Sequence, residues 1–149
     1  MAQYLSNELA GTTTGLTTAA AAGVKPNATV YGARLKRLRA TITLASQTTS
    51  DTILIGNLPA GATFAYGVLN ASATLGTTTV AIGITGTTGK YRAAATFTTA
   101  DTPTLFGTNA TAALATPLAA EEQVIATLAV ASLPASGTLV VDLFYSMPS

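Results

Sequence analysis

The chain reads as an antiparallel β-sandwich of about seven to eight strands, preceded by an extended N-terminal arm. Three observations predict this. Apolar residues alternate with polar or small ones in short runs, the period of a pleated strand with one buried face. Clusters of Gly, Pro, Asn and Ser separate the runs at intervals typical of sandwiches. Alanine and threonine supply about 40% of the 149 residues, and threonine's β-branched side chain fits an exposed pleated face.

Residues 1–30 stand apart, because Gly11–Gly15 and Ala19–Gly23 follow neither the strand nor the helix period. Alanine favours one or two helical turns over Leu16–Ala22, but Gly15 and Gly23 bound that run. An arm over 1–30 and a sandwich domain over 31–149 follow. From Arg34 to Leu44 the alternation sends Leu38, Ala40, Ile42 and Leu44 one way, and Arg37, Arg39, Thr41 and Thr43 the other. Ser46–Asp51 is a polar turn, and Thr52–Leu58 is a strand that Pro59-Ala-Gly61 ends. Ala62–Ala73 alternates with Phe64, Tyr66 and Val68 on one face; Thr78–Thr85 does so with Val80, Ile82 and Ile84. Gly86–Gly89 turns into a strand over Lys90–Thr99.

Between Ala100 and Ala120, Pro103, Gly107, Asn109 and Pro117 predict a long loop with one short strand around Leu105. Glu122–Leu133 is a strand bent in its middle, and Thr138–Ser146 a last strand with Leu139, Val141, Leu143 and Tyr145 on one face. The stretch Leu58-Pro-Ala-Gly-Ala-Thr63 echoes Leu133-Pro-Ala-Ser-Gly-Thr138. Either the two mark equivalent corners of a Greek-key sandwich, or Pro-Ala turns recur by chance.

Composition limits the chemistry. Histidine, cysteine and tryptophan are absent, which excludes Ser–His and Cys–His nucleophiles, disulfides and His/Cys zinc sites. Only 9% of residues are charged, against a usual ~25%, so the surface repels other proteins weakly and suits a subunit packed against neighbours. With a net charge of +1, no overall field draws nucleic acid or membrane to the chain. No signal peptide or transmembrane helix is expected, since Met1–Glu8 lacks the charged start and apolar core of a signal and Thr127, Ser132 and Pro134 break the most apolar stretch.

Gly83–Lys90 fails as a phosphate loop: Ile84 stands where the first glycine belongs, and Tyr91 replaces the magnesium-binding hydroxyl, so a hairpin turn is expected. Glu121 and Glu122 are adjacent and point to opposite faces of a strand, which prevents a catalytic pair. Asp51 and Asp101 each precede a threonine at a strand edge, the usual setting of an Asx turn. Three glycosylation-type triplets, at Asn27, Asn70 and Asn109, follow from abundant Asn, Ala and Thr. No catalytic residue, metal ligand or cofactor is expected.

The one charge feature is Arg34, Lys36, Arg37 and Arg39, four of seven basic residues within six positions. Alternation puts Arg37 and Arg39 on one face and Lys36 on the other. The cluster is either a docking patch for an acidic partner, where arginine pairs bidentately with carboxylates, or a charged edge that blocks strand-to-strand aggregation. Nucleic acid is a weaker option, because no stacking aromatics are interleaved.

Four segments carry a resemblance: Arg34–Leu44, Thr52–Gly61, Gly89–Thr98 and Leu133–Tyr145. Together they resemble small structural proteins of tailed bacteriophages, similar to the decoration, or cement, proteins that stabilise phage heads. The similarity runs from about residue 30 to the end and rests on strand-and-turn patterns. The resemblance implies a jelly-roll-like sandwich, non-enzymatic, that binds the outer surface of a capsid and bridges its subunits. The implied partners are the major capsid protein and further copies of the chain in a homodimer or homotrimer, without nucleic acid or membrane. The implied location is the virion, after synthesis in the bacterial cytoplasm. An arm of residues 1–30, extended at ~3.3 Å per residue, reaches up to ~100 Å. The alternatives are another virion part, such as a tail-tube, head–tail connector or fibre-base protein, and a carbohydrate-binding sandwich. The last is disfavoured because tryptophan is absent and the five tyrosines are scattered.

Overall fold

The computed structural model describes residues 34–107 and 116–147. The expected arm lies outside the described residues. The described chain is all-β, with eight strands: β1 (Leu35–Thr43), β2 (Thr52–Leu58), β3 (Thr63–Ala71), β4 (Thr79–Ile84), β5 (Thr87–Thr96), β6 (Thr104–Phe106), β7 (Glu122–Ala129) and β8 (Thr138–Ser146).

The strands form two four-stranded antiparallel sheets, ordered β1-β8-β3-β6 and β2-β7-β4-β5. In this order β1 pairs with β8, β2 with β7, β3 with β6 and β4 with β5. The chain is therefore one long hairpin, closed between β4 and β5 and rolled so that each successive pair enters the other sheet. That is the jelly roll, an eight-stranded double sheet that limits its exposed edges.

The roll stays hydrogen-bonded where it turns from sheet to sheet. At the β1–β2 corner, Leu44 N donates to Gly137 O at 2.9 Å, and Leu133 N donates to Gln47 O at 2.9 Å. At the β2–β3 corner, Gly61 N donates to Leu118 O at 2.7 Å and Leu118 N to Ala62 O at 2.8 Å. At the β3–β4 corner, Leu75 N donates to Phe97 O at 2.9 Å. Buried backbone groups are thus satisfied through the bends, as burial demands. The echoed stretches Leu58–Thr63 and Leu133–Thr138 both carry the chain from the β2-β7-β4-β5 sheet to the other one. In each, a buried leucine precedes a proline that cannot donate to a ladder; Leu58 is the last residue of β2, while Leu133 lies four residues beyond the end of β7.

Register sorts the first sheet into rows. Leu38, Leu143, Gly67 and Phe106 lie side by side facing inward, followed by Ala40, Val141 and Leu69, then Ile42, Leu139 and Ala71. The opposing sheet contributes Val80, Ile82, Val124, Ala126 and Leu128 to the same core. Gly67 is required by close approach, since a Cβ there would stand 2.1 Å from the Phe106 ring. Phe64 packs at 4.6 Å from Tyr91 and 6.4 Å from Phe106, joining the sheets.

Three expectations need correction. Tyr66 and Val68 do not share the face of Phe64, because a bulge between Phe64 and Tyr66 shifts the phase, so Gly67, Leu69 and Ala71 follow Phe64 inward. The seventh strand ends at Ala129 rather than Leu133, where Val130 adopts a φ of 74° and breaks the extended backbone. The fifth strand begins at Thr87 rather than Lys90 and ends at Thr96, because the hairpin turn needs only Thr85 and Gly86.

Candidate docking surface

The basic residues sit at the start of β1, the edge strand of its sheet. All four are exposed. The pairing of β1 with β8 carries no bulge, so Arg37 and Arg39 share the outer face while Lys36 has the phase of Leu38. The structure thus brings Arg37 and Arg39 together and leaves Lys36 and Arg34 at the strand's beginning.

Arg39 already has a partner. It lies opposite Asp142 in register, its Nε donates to Oδ1 at 2.7 Å, and its Nη2 donates to Oδ2 at 2.6 Å. The bidentate bonds from Arg39 hold the Asp142 carboxyl below its usual range; desolvation opposes them, and the charges of Arg39 and Arg37 add to the depression. Among the described residues, no carboxylate forms an ion pair with Arg34, Lys36 or Arg37.

The same outer face carries an apolar strip that alternation did not reveal. Arg37, Phe144 and Tyr66 form one row across β1, β8 and β3, and the Phe144 and Tyr66 rings stack at 4.7 Å. Arg39, Asp142, Val68 and Leu105 form the next row, and Leu105 is 71% exposed. A hollow of about 420 Å³ opens between Tyr66, Leu105, Phe106 and Gly107. Tyr66 reaches this face only through the bulge before it, which is why the period of the sequence assigned it to the core.

The outer face of the other sheet differs. Leu54, Ile125 and Gly83 form one row and Thr52, Thr127 and Ala81 another, with no charged side chain in either. At that sheet's β5 edge the register with β4 jumps between Ile82–Arg92 and Ile84–Thr87, so β5 bulges. Gly83 permits this, since a Cβ there would meet Thr87 O at 2.2 Å. The bulge turns Tyr91 and Arg92 into buried positions. Tyr91 Oη donates to Glu122 at 2.5 Å, and Lys90 pairs with the same carboxylate. Burial first, then Glu122, pushes the Tyr91 phenol well above its usual range. Arg92 donates to the carbonyls of Val80, Ala95 and Thr96. A groove of about 440 Å³ runs between this edge and β6.

The carboxylates are dispersed. Asp51 accepts from Thr48 N at 2.6 Å in a local turn, and Glu121 accepts from Asn57 at 2.8 Å. Glu122 and Asp142 are held as described. Among the described residues no group of three His, Cys, Asp or Glu is placed to hold a metal ion, and no helix is long and apolar enough to cross a membrane.

Neither a protein-family model nor a curated protein matches the chain. Solved structures do. A chain of the cyanophage Pam1 capsid asymmetric unit is similar over 91% of this chain and 100% of its own, with 22% identity and a TM-score of 0.67. A chain of the Ralstonia phage GP4 capsid shares 20% identity over 78% of this chain and 85% of its own, with a TM-score of 0.57. A chain of the acid-stable capsid of Helicobacter pylori bacteriophage KHP30 shares 16% identity over 77% of this chain and 89% of its own, with a TM-score of 0.57. At these identities the likeness is one of fold.

Proposed function

We propose that this chain is a structural protein of a bacteriophage virion that binds the outer surface of the capsid and stabilises the shell by bridging capsid subunits. The observation that carries the proposal is the jelly roll and its likeness to chains of three phage capsids, one of them matched over its full length by a chain of this size. That coverage supports a single small sandwich as a shell component. The composition supports a role made of contact alone, with few charges and no histidine or cysteine.

Many copies acting together suffice mechanically. A chain that binds the assembled shell and not its dispersed subunits stabilises the assembled state by mass action. Bridging adds a second contact at high effective concentration. Self-association into dimers or trimers and an arm over residues 1–30 belong to the same proposal. Deletion of residues 2–24 is then expected to leave the sandwich folded and to weaken attachment.

The test uses shells of the parent phage prepared without the chain. Added full-length chain is expected to co-sediment with them to a saturating, high copy number and to raise their resistance to heat and low salt. A handful of copies per particle would favour a connector or tail part instead. Absence of binding, with no gain in resistance, would refute the capsid assignment.

A further inference from the structure

Resting on that reading, we infer that the outer face of the β1-β8-β3-β6 sheet is the surface that meets the shell, and that it fits a protein surface apolar at its centre with carboxylates along one side.

Two independent features of this face point the same way. The first is apolar: the half-buried Phe144 and Tyr66 stack on each other in an outer row, and Leu105 is exposed on the edge strand of the same sheet. A hollow of about 420 Å³ lies beside them, lined by Tyr66, Leu105, Phe106 and Gly107. Aromatic anchors next to a pocket are where binding energy concentrates.

The second feature is directional charge. Arg37 stands at the β1 side of the strip, and Arg34 and Lys36 lie exposed at the start of the same edge strand in the opposite phase. None of the three forms an ion pair with a carboxylate among the described residues. Asp142 is the only acid in these rows, and Arg39 neutralises it with two hydrogen bonds. The face therefore offers positive charge on one side and none of the opposite sign to a partner. A second copy of the same face would bring these cations against one another, or against neutral Leu105, so charge complementarity favours an acidic partner over self-pairing. The Arg37 guanidinium, one row from Arg39, is the group best placed to take a partner carboxylate bidentately.

The test compares full-length variants on shells prepared without the chain. Arg37→Glu and Leu105→Glu change exposed side chains on the candidate face; Leu54→Glu changes an exposed side chain on the other sheet, where Leu54 is 57% exposed. Melting curves confirm that each variant folds, and sedimentation reports its oligomeric state. Arg37→Glu and Leu105→Glu are each expected to weaken shell binding by at least about tenfold, with Leu54→Glu binding as the parent does. The Arg37→Glu loss should shrink as salt rises, while the Leu105→Glu loss persists.

Parent-like binding by both face variants, with loss in Leu54→Glu, would overturn the inference and leave the capsid assignment standing. Dissociation of an oligomer by the face variants, with shell binding intact, would show the face to be a self-contact and overturn it as well. Failure of the unaltered chain to bind shells would refute the capsid assignment and the inference together.

Discussion

The two edges of the roll are built from the same residue types and solve opposite problems. Along β1 the ladder with β8 is unbroken over nine residues, and Arg39 and Asp142 meet on the outside at registered positions. Along β5 the ladder with β4 is interrupted twice, and the bulged segment turns Tyr91 and Arg92 inward. A regular ladder lets charge remain at the surface, where an ion pair contributes little. A bulge that carries polar groups inward commits the fold to satisfying each of them, because a buried donor or acceptor left alone is costly. The β5 edge should therefore be the less forgiving one.

The largest expected effect tests that difference directly. Arg92 supplies donors to three backbone carbonyls, and no carboxylate pairs with it among the described residues. Replacing it with methionine keeps most of the volume and strands those carbonyls, so Arg92→Met should lower stability by about 2–3 kcal/mol in denaturant unfolding. The loss of a buried cation's desolvation cost offsets part of this. A neutral result would mean the bulge tolerates unsatisfied carbonyls and that the two edges are alike.

A second substitution probes the inward row that crosses the β1-β8-β3-β6 sheet from one side to the other. Leu38, Leu143, Gly67 and Phe106 lie in register, and the Phe106 ring occupies the space of the missing Gly67 side chain. Gly67→Ala should therefore cost about 2 kcal/mol through overpacking, read as a lower denaturant midpoint at constant slope. Gly67→Ala combined with Phe106→Leu should recover part of it if the ring is the obstacle.

The third test is alkaline. The folded Tyr91 phenol titrates well above the ordinary value of 10.0, so between those values the folded chain holds a proton that the unfolded chain has released. Stability is then complete below about pH 10 and falls as pH rises beyond it. Tyr91→Phe should cost about 1 kcal/mol at neutral pH, the value of an ordinary hydrogen bond, and should flatten that alkaline decline. A decline of unchanged slope would assign it to another group.

How much of this was legible in the sequence follows the same division. The β1 and β8 strands and the inward set Leu139, Val141 and Leu143 could be read because the period of two survives without insertion there. The echoed Pro-Ala stretches left corner and coincidence open, and the strand order decides for corners. The outward Tyr66 and inward Arg92 could not, because each depends on a bulge, and a bulge changes phase without leaving a distinctive residue. Gly67 and Gly83 were the available signals: glycine inside a strand marks a close approach or a bulge, and both do so here. The Arg39–Asp142 pair was hidden for another reason, since 103 residues separate its members and only the strand order brings them together.

That pair provides the smallest effect and the sharpest contrast. Asp142 is nearly buried on the face, with 9% side-chain exposure, while Arg39 is 50% exposed, so water and salt screen the arginine. The depressed Asp142 carboxyl means that the unfolded chain takes up a proton first as pH falls. The pair's contribution is thus present above about pH 4 and lost as pH drops through the folded carboxyl's lower value. Asp142→Asn should flatten the acid limb of the stability profile and shift stability at neutral pH much less than Arg92→Met, and added salt should narrow the remaining difference from the parent. The two limbs then report on opposite edges, the acid one on β1–β8 and the alkaline one on β5–β7. If Asp142→Asn instead matched the loss of Arg92→Met at neutral pH, the ion pair rather than the unbroken ladder would be holding the β1 edge, and the contrast between a forgiving and an unforgiving edge would fail.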